Sequence, residues 1–484
     1  MLYLIRFFPE ITIKTKPVRH RLIQILRRNL ITMFRRLDAG VKVTGDWDML
    51  EVHTPDGDDS LSREVLDILL RTPGIGLVMP VQKHSFTTLD EAGQAVLAVW
   101  KDELKGRTFV VRCKRQGHHP FNSVDVERHI GAILLAGSES AGVSLKNPDV
   151  TVRVELRYND FYVVDRQLKG LGGYPMGSQG EVLSLISGGF DSAVASYQCS
   201  RRGVRTHFLF FNLGGREHEV AVKEVALYLW MKFGSSHRVK FVSVPFEGVL
   251  QNILQAVDSG YMGVVLKRQM LRAADRIAGK LGIEALVTGE SVAQVASQTL
   301  PNLRLIDEVC EALVLRPLIV SDKQDIIDLA RSIGTESFSA CIPEYCGVIS
   351  VKPTTHAKRD RVLEAESGLD MSLLEKAIED AEIQMIDRVV EVVDHRDVEP
   401  PIHKTVPPQA IVIDIRHPDE QVIKPLMLPE VEVRSIPFFQ LGSQFTTLDP
   451  SRTYLLYCDK GMMSRLHASH LQDAGHTNVA VYRP

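Results

Sequence analysis

A strand-like apolar run over 182–186 leads into Ser187-Gly188-Gly189-Phe190-Asp191-Ser192, and the Ala193-Val194-Ala195-Ser196-Tyr197 that follows reads as helix. Strand, glycine turn and helix start together make a cradle for phosphate. Gly188 and Gly189 let the backbone approach an anion closely and adopt positive φ, so that successive N–H groups point at it. Ser187 and Ser192 add hydroxyl donors, and the helix N-terminus adds partial positive charge. The lysine-bearing pattern of a Walker A loop is absent. Asp191 is costly beside phosphates unless a cation bridges them, which implies Mg²⁺. A plain strand-to-helix turn capped by Asp or Ser is the competing account of a lone Gly-Gly.

A second reactive candidate is Cys458, in Tyr457-Cys458-Asp459-Lys460-Gly461-Met462-Met463-Ser464-Arg465, where a strand gives way to a loop and a helix start. A cysteine at the first position of such a loop faces backbone N–H groups and a helix N-terminus. Both lower its pKa and stabilise a thiolate or persulfide. A buried structural cysteine at a strand end is the alternative. A third candidate is basic: 104–124 holds Lys105, Arg107, Arg112, Lys114 and Arg115 and no acid. Alternation of Val111 and Cys113 with Arg112 and Lys114 puts cations on one face of a strand, a surface suited to nucleic-acid phosphates. Lys267 and Arg268, within an apolar helix over 262–281, could reach a triphosphate across a crevice, although helical lysines are more often solvated. Lys323 stands at a helix start, where a cap and a surface charge are the bland reading.

The elements that must position these residues follow from periodicity. From residue 182 the pattern is βαβα, with strands over 182–186, 206–212, 239–244 and 285–288. That order predicts a doubly wound parallel sheet with ligands at the strand C-termini, where Asn212-Leu213-Gly214-Gly215 and Thr288-Gly289-Glu290 fall. Upstream, a strand over 3–7, a helix over 18–37 and short strands over 41–44 and 49–53 predict a small α+β unit. Leu22, Ile25, Leu26, Leu30 and Phe34 form the helix's apolar stripe, with Arg21, Arg27, Arg28, Arg35 and Arg36 off it. An ordinary solvated face explains those arginines as well as a polyanion site does. A second unit follows, with a helix over 123–135 and strands over 150–156 and 162–165. Downstream, a proline-rich stretch from Asp397 to Pro408 reads as a linker. The tail from Ala410 opens on a buried strand ending in Asp414 and Arg416 and has the size of one small domain.

The 484 residues suggest about three or more domains. At 44% hydrophobic and 24% charged the chain reads as soluble and globular. A net charge of -3 hides an uneven spread, since residues 1–50 carry ten Lys/Arg against four Asp/Glu. No apolar run approaches the ~18–20 residues of a membrane span. The opening Met1-Leu2-Tyr3-Leu4-Ile5-Arg6 is too short for a signal-peptide core, so a cytoplasmic protein is expected. Six cysteines in so long a chain are no disulfide framework, and Cys341-x4-Cys346 lacks zinc-knuckle spacing.

Ser-Gly-Gly-x-Asp-Ser resembles the loop of the ATP pyrophosphatases, which split ATP into AMP and pyrophosphate. The Arg-x-Lys-Arg-x-Gly-x-His wording resembles a THUMP domain, a tRNA-binding module, and the tail resembles a rhodanese domain. With Pro343-Glu344-Tyr345-Cys346-Gly347, the ordered set resembles the bacterial tRNA 4-thiouridine synthetases (tRNA uracil 4-sulfurtransferases) of the long form, over essentially the whole chain. The resemblance implies a multidomain α+β and α/β protein. It would comprise a ferredoxin-like domain (1–60), a THUMP domain (61–167), an ATP pyrophosphatase domain (175–395), a linker (396–405) and a rhodanese domain (406–484). ATP would lie across Leu185, Ile186, Ser187, Gly188, Gly189, Asp191, Ser192, Lys267, Gly289 and Gln298. Asp191 would organise Mg²⁺-pyrophosphate and Lys323 would stabilise the reacting phosphate. Arg112, Lys114 and Arg115 would contact tRNA. Uridine 8 would be adenylated on its C4 oxygen and receive sulfur from a Cys458 persulfide loaded by a cysteine desulfurase. Cys346 would then pair with Cys458 in a disulfide. A small sulfur-carrier protein of thiamine thiazole synthesis is a further implied partner, and a homodimer is one admitted assembly. Asp459-Lys460 and Met462-Met463 leave donor preference open. Two rivals remain: a rhodanese-type sulfur carrier without tRNA adenylation, and a tRNA-binding protein without catalysis.

Overall fold

A computed structural model describes residues 1–38, 40–45, 47–55, 57–213, 215–339, 352–389, 400–416, 418–459 and 461–484. Two compact units divide the chain, Met1–Pro175 and Met176–Pro484. Among the described residues no helix is long and apolar enough to cross a membrane.

In the first unit nine described strands share one sheet. Leu2–Phe7 lies between Leu50–His53 and Ile75–Ser85, antiparallel to both. Ile75–Ser85 is 11 residues long and at its far end pairs with Asp160–Val164, which carries the sheet on to Val150–Arg157 and Thr108–Gln116. Through this strand's pairing one sheet runs beneath two separate hydrophobic cores. The first gathers Leu22, Leu26, Leu30 and Phe34 of helix Lys16–Leu37 with Leu61, Val65, Leu69 and Tyr174. Helix Asp59–Leu70 therefore packs with the N-terminal elements, and the expected boundary after residue 60 is not a break in packing. The second core sets Val111, Val152, Val154 and Phe161 of the sheet against Val96, Ile130 and Leu134 of helices Leu89–Trp100 and Ser123–Gly137.

The second unit holds two sheets. The larger runs Leu313–Leu315, Ala285–Val287, Glu181–Leu185, Arg205–Asn212, Lys240–Pro245 and Glu382–Met385; the first five strands are parallel and the last antiparallel. Strand addition from Glu181–Leu185 goes one way to Lys240–Pro245, then resumes on the other side with Ala285–Val287. Such a reversal opens a crevice at the strand C-termini, where ligands bind in open α/β sheets. The smaller sheet is all parallel, in the order Ile402–His403, Val479–Tyr482, Tyr454–Tyr457, Ile411–Asp414, Val433–Ser435. Ile402–His403 falls inside the expected linker, so the end of that stretch is a strand of the smaller sheet; residues 390–399 lie outside the described residues. Proline content misled here, because edge strands tolerate proline.

Candidate active site

The strand Glu181–Leu185 delivers its chain to the crevice at Leu185 and Ile186, and the loop turns into helix Phe190–Arg201. Gly188 has φ of 83°, the left-handed value expected, whereas Gly189 has φ of -70° and serves as the helix N-cap. Only one of the two glycines needs positive φ. The other is an N-terminal cap without a side chain. Ser192 Oγ accepts from Ser187 N at 3.2 Å and donates to Gly189 O at 3.1 Å, so this hydroxyl braces the loop.

The loop opens on a cavity of about 530 Å³, a size typical for a small-molecule site. Leu185, Ile186, Ser187, Gly189, Asp191, Ser192, Lys267, Gly289 and Gln298 all line it. Gly188 and Lys323 are not among its lining residues. Gly188 instead accepts from Ser339 Oγ at 2.8 Å, and Lys323 reaches the rim through Asp191, its Nζ 2.8 Å from Oδ1. The other Asp191 oxygen accepts from Gln294 Nε2 at 2.7 Å. Gly289 is required by proximity. A Cβ there would stand 2.6 Å from the Asp191 carbonyl carbon and 2.7 Å from the Ser192 nitrogen.

Lys267 does not stand alone on the opposite wall. Its Nζ lies 2.7 Å from Glu290, which also accepts from Arg316 Nε at 2.7 Å and from Thr288 Oγ1 at 3.0 Å. Burial raises the Glu290 carboxyl, but Lys267 and Arg316 outweigh it and hold the group at about 2. Arg316 also forks onto Asp307, with Nη1 2.9 Å from Oδ2, so two cations and two carboxylates form a balanced network that holds Lys267 at the cavity wall. Arg268 departs from expectation. It is 2% exposed and forks onto Glu366 at 2.8 and 2.9 Å, beside Arg272, away from the cavity. One residue along the helix turns the side chain by about 100°, and Glu366 and the Leu305 carbonyl hold the Arg268 guanidinium there. His218, Gln294 and Arg316, which no local motif marks, also line the cavity. His218 is buried against Phe210, and its pKa is lowered by that burial. Residues separated in sequence by whole strands carry no local signal of meeting.

Cys458 sits at the end of strand Tyr454–Tyr457, before helix Met462–Asp473. Ser464 N lies 3.3 Å from its sulfur and Ser464 Oγ 3.4 Å. The expected lowering of its pKa is overturned. The thiol is only 5% exposed, and burial pushes it up, while Ser464 and the amides of Gly461 and Met463 pull it down without prevailing. The amide ring is present, but the sequence could not show how deeply the sulfur is sunk. Beneath the loop, Arg416 forks onto Asp414 at 2.6 and 2.9 Å and reaches Asp459 at 3.1 Å, while Tyr457 OH donates to Asp459 at 2.8 Å. That network fixes the second loop residue. Cys346, with Pro343, Glu344, Tyr345 and Gly347, lies outside the described residues.

On strand Thr108–Gln116, Arg112 and Lys114 are exposed on one face as expected. Arg115 is on the other face, half-buried, donating to Gly117 O at 3.2 Å and lying 3.3 Å from His119 Nδ1. Period-two alternation dictates that separation. The paired strand adds Arg153 and Arg157, in register with Arg112 and Gln116. Arg157 and Arg6 both hold Glu155, at 3.3 and 2.6 Å. Burial lowers the Lys114 pKa and Arg6 adds to the effect.

Comparison with known proteins decides the family. Over all 484 residues the chain aligns with the tRNA sulfurtransferase of Saccharophagus degradans, 52% identical with 100% of both chains covered, and that of Pseudomonas aeruginosa is 54% identical with the same coverage.

The chain belongs to the tRNA sulfurtransferase family.

Residues 177–371 match the family described as Thiamine biosynthesis protein (ThiI), 86–164 match the THUMP domain and 373–483 the rhodanese-like domain. The architecture is therefore multidomain, with THUMP, ATP-loop and rhodanese parts. A solved 4-thiouridine synthetase in complex with RNA and bound ATP is 26% identical, with a TM-score of 0.69 over 79% of this chain and 99% of that one. In this chain, residues 382–385 pair with the larger sheet although the rhodanese match starts at 373.

Proposed function

We propose that this tRNA sulfurtransferase uses ATP to adenylate the C4 oxygen of uridine 8 in tRNA and replaces that oxygen with sulfur carried on Cys458. The observation that carries the reading is the pairing, in one chain, of a glycine loop on a 530 Å³ cavity with a cysteine set in a ring of amides. ATP fits the cavity by size, by the Lys267 ammonium on its wall and by the likeness to the ATP-bound 4-thiouridine synthetase. Gly188, Gly189 and the helix start would cradle phosphate, and Lys323 would stabilise charge on the reacting phosphorus. One carboxylate of the phosphate loop, Asp191, lines the cavity. That fits Mg²⁺, which binds through one or two carboxylates plus substrate phosphates. Bound there, it would neutralise the pyrophosphate charge.

The uracil O4 attacks the α-phosphorus and pyrophosphate leaves. The terminal sulfur of the Cys458 persulfide attacks C4 and AMP leaves, giving a disulfide-linked adduct. Cys346 thiolate then attacks the Cys458 sulfur, which releases the thio-base and leaves a Cys346–Cys458 disulfide; a dithiol reductant restores both thiols. A cysteine desulfurase supplies the persulfide, and the same cysteine serves a sulfur-carrier protein for the thiamine thiazole. We place the enzyme in the cytoplasm and leave a homodimer as its candidate assembly. The Met1–Pro175 unit is assigned as ferredoxin-like and THUMP parts that share one sheet, 175–395 as a doubly wound ATP pyrophosphatase domain, and the smaller sheet, from strand Ile402–His403 onward, as the rhodanese domain. The test is product analysis of ATP in the presence of tRNA. AMP and pyrophosphate should appear only with tRNA, whereas ADP and phosphate would contradict adenylation.

Two further outcomes follow from the geometry. Gly289→Ala forces a methyl group against the Asp191–Ser192 backbone, and overpacking of this kind costs about 1–3 kcal/mol. ATP affinity should therefore fall by about tenfold, measured by equilibrium binding, and unchanged affinity would show that the turn is not the nucleotide loop. Arg112→Glu with Lys114→Glu should weaken tRNA binding and lower its log–log salt slope by about one per lost phosphate contact. Arg115→Glu should alter the slope less, because its guanidinium is already held by Gly117 and His119. Binding curves at two salt concentrations that match the parent would make the strip an ordinary solvated face.

A further inference from the structure

Within the second unit, aromatic side chains meet between the two sheets. Phe438, at the start of helix Phe438–Phe445, faces Phe338 with ring centroids 4.2 Å apart, and Tyr228 stands 4.9 Å from Phe338 and 6.4 Å from Phe438. All three are buried. Beside them His467 Nε2 lies 3.3 Å from Glu224 Oε1, across the same boundary. Burial pushes the Glu224 carboxyl up to about 8, so charge at this spot is costly without a partner from the facing half. His467 belongs to Met462–Asp473, the helix whose N-terminus faces Cys458. Fixing that helix fixes the sulfur.

The other side of the contact reaches the phosphate loop. Phe338 lies on the short helix Glu336–Ser339, and the next residue, Ser339, donates its buried hydroxyl to Gly188 O at 2.8 Å. Tyr228 OH donates to Ile333 O at 3.1 Å, at the end of helix Lys323–Ile333, which begins with Lys323. Neighbouring residues of one helical turn thus touch the cradle and the cysteine-bearing half. We propose that the Phe338–Phe438 contact is the seat that holds the Cys458 half on the ATP-loop half during sulfur transfer. The seat deepens, and rests on, the two-site reading above. It supplies what a chain with separate activation and sulfur sites needs, a defined docking position between them.

The test uses the full-length protein carrying Phe438→Ala, Phe338→Ala or both, preloaded with persulfide on Cys458 and mixed with ATP and tRNA. Persulfide loading and tRNA-dependent pyrophosphate release should stay within about twofold of the parent. Single-turnover sulfur transfer should fall about tenfold or more in each single variant, as misplacement of reacting groups does. The double variant should be no slower than the slower single, because both changes remove one contact. Transfer at the parent rate in the singles overturns the seat, and so do losses that multiply in the double variant. Variants that lose loading or pyrophosphate release as well also overturn it, since the contact then serves stability. Failure of the parent protein to release pyrophosphate with tRNA would instead sink the activation reading.

Discussion

Asp191→Ala is expected to abolish ATP-dependent thiolation, a loss on the order of a hundredfold or more, while tRNA affinity stays within about twofold. The carboxylate sits between Lys323 Nζ at 2.8 Å and Gln294 Nε2 at 2.7 Å, on the wall shared with Ser187 and Gly289. Its removal frees Lys323 to turn away and deletes the metal ligand we assign. The residues assigned to tRNA, Arg112, Lys114 and Arg115, belong to the Met1–Pro175 unit and keep their own contacts. Nucleoside quantification and filter binding on the same preparation read the two effects separately. Near-normal thiolation by this variant would remove the loop from the mechanism.

The cysteine variants should split differently. Cys458→Ala should lose persulfide loading and thiolation outright, because the donors of Ser464, Gly461 and Met463 are set around its sulfur, whereas Cys310 faces the Asp275 carboxylate and the Ala312 carbonyl. Cys346→Ala should still load sulfur on Cys458 yet fail in multiple turnover. Without reductant the parent enzyme should stop after about one turnover with the two cysteines linked. Peptide mapping of the arrested enzyme checks this, and finding both as free thiols would contradict the resolving role. The depth of Cys458 adds a further expectation: its thiol, raised by burial, should alkylate more slowly at pH 7 than a small exposed thiol.

Much of this was written in local pattern. Strand, Gly-Gly turn and helix lie within some fifteen consecutive residues, so the cradle was legible from 182–197 alone, as was the strand-loop-helix around Cys458. The alternation that exposes Arg112 and Lys114 was legible too, though applying it strictly would have set Arg115 on the opposite face. What escaped depends on long-range packing. Arg268 and Lys267 are neighbours in sequence, yet Glu366, about a hundred residues on, draws one inward while Glu290 keeps the other at the cavity. The Cys458 pKa turns on burial, which no motif reports. Residues 402–403 read as linker because only pairing with Val479–Tyr482 makes them a strand. The first two domains looked separable because nothing local announces that Ile75–Ser85 is long enough to pair with Leu2–Phe7 on one side and Asp160–Val164 on the other.

The central claim is that one chain couples ATP activation of a tRNA uridine to sulfur delivery from Cys458. Mass spectrometry of tRNA nucleosides, after incubation of the purified protein with unmodified tRNA, ATP, Mg²⁺ and a cysteine desulfurase with cysteine, tests it most directly. The account predicts 4-thiouridine at position 8, absent when ATP is omitted and absent with Cys458→Ala. Formation of 4-thiouridine without ATP, or its continued formation by Cys458→Ala, would contradict it.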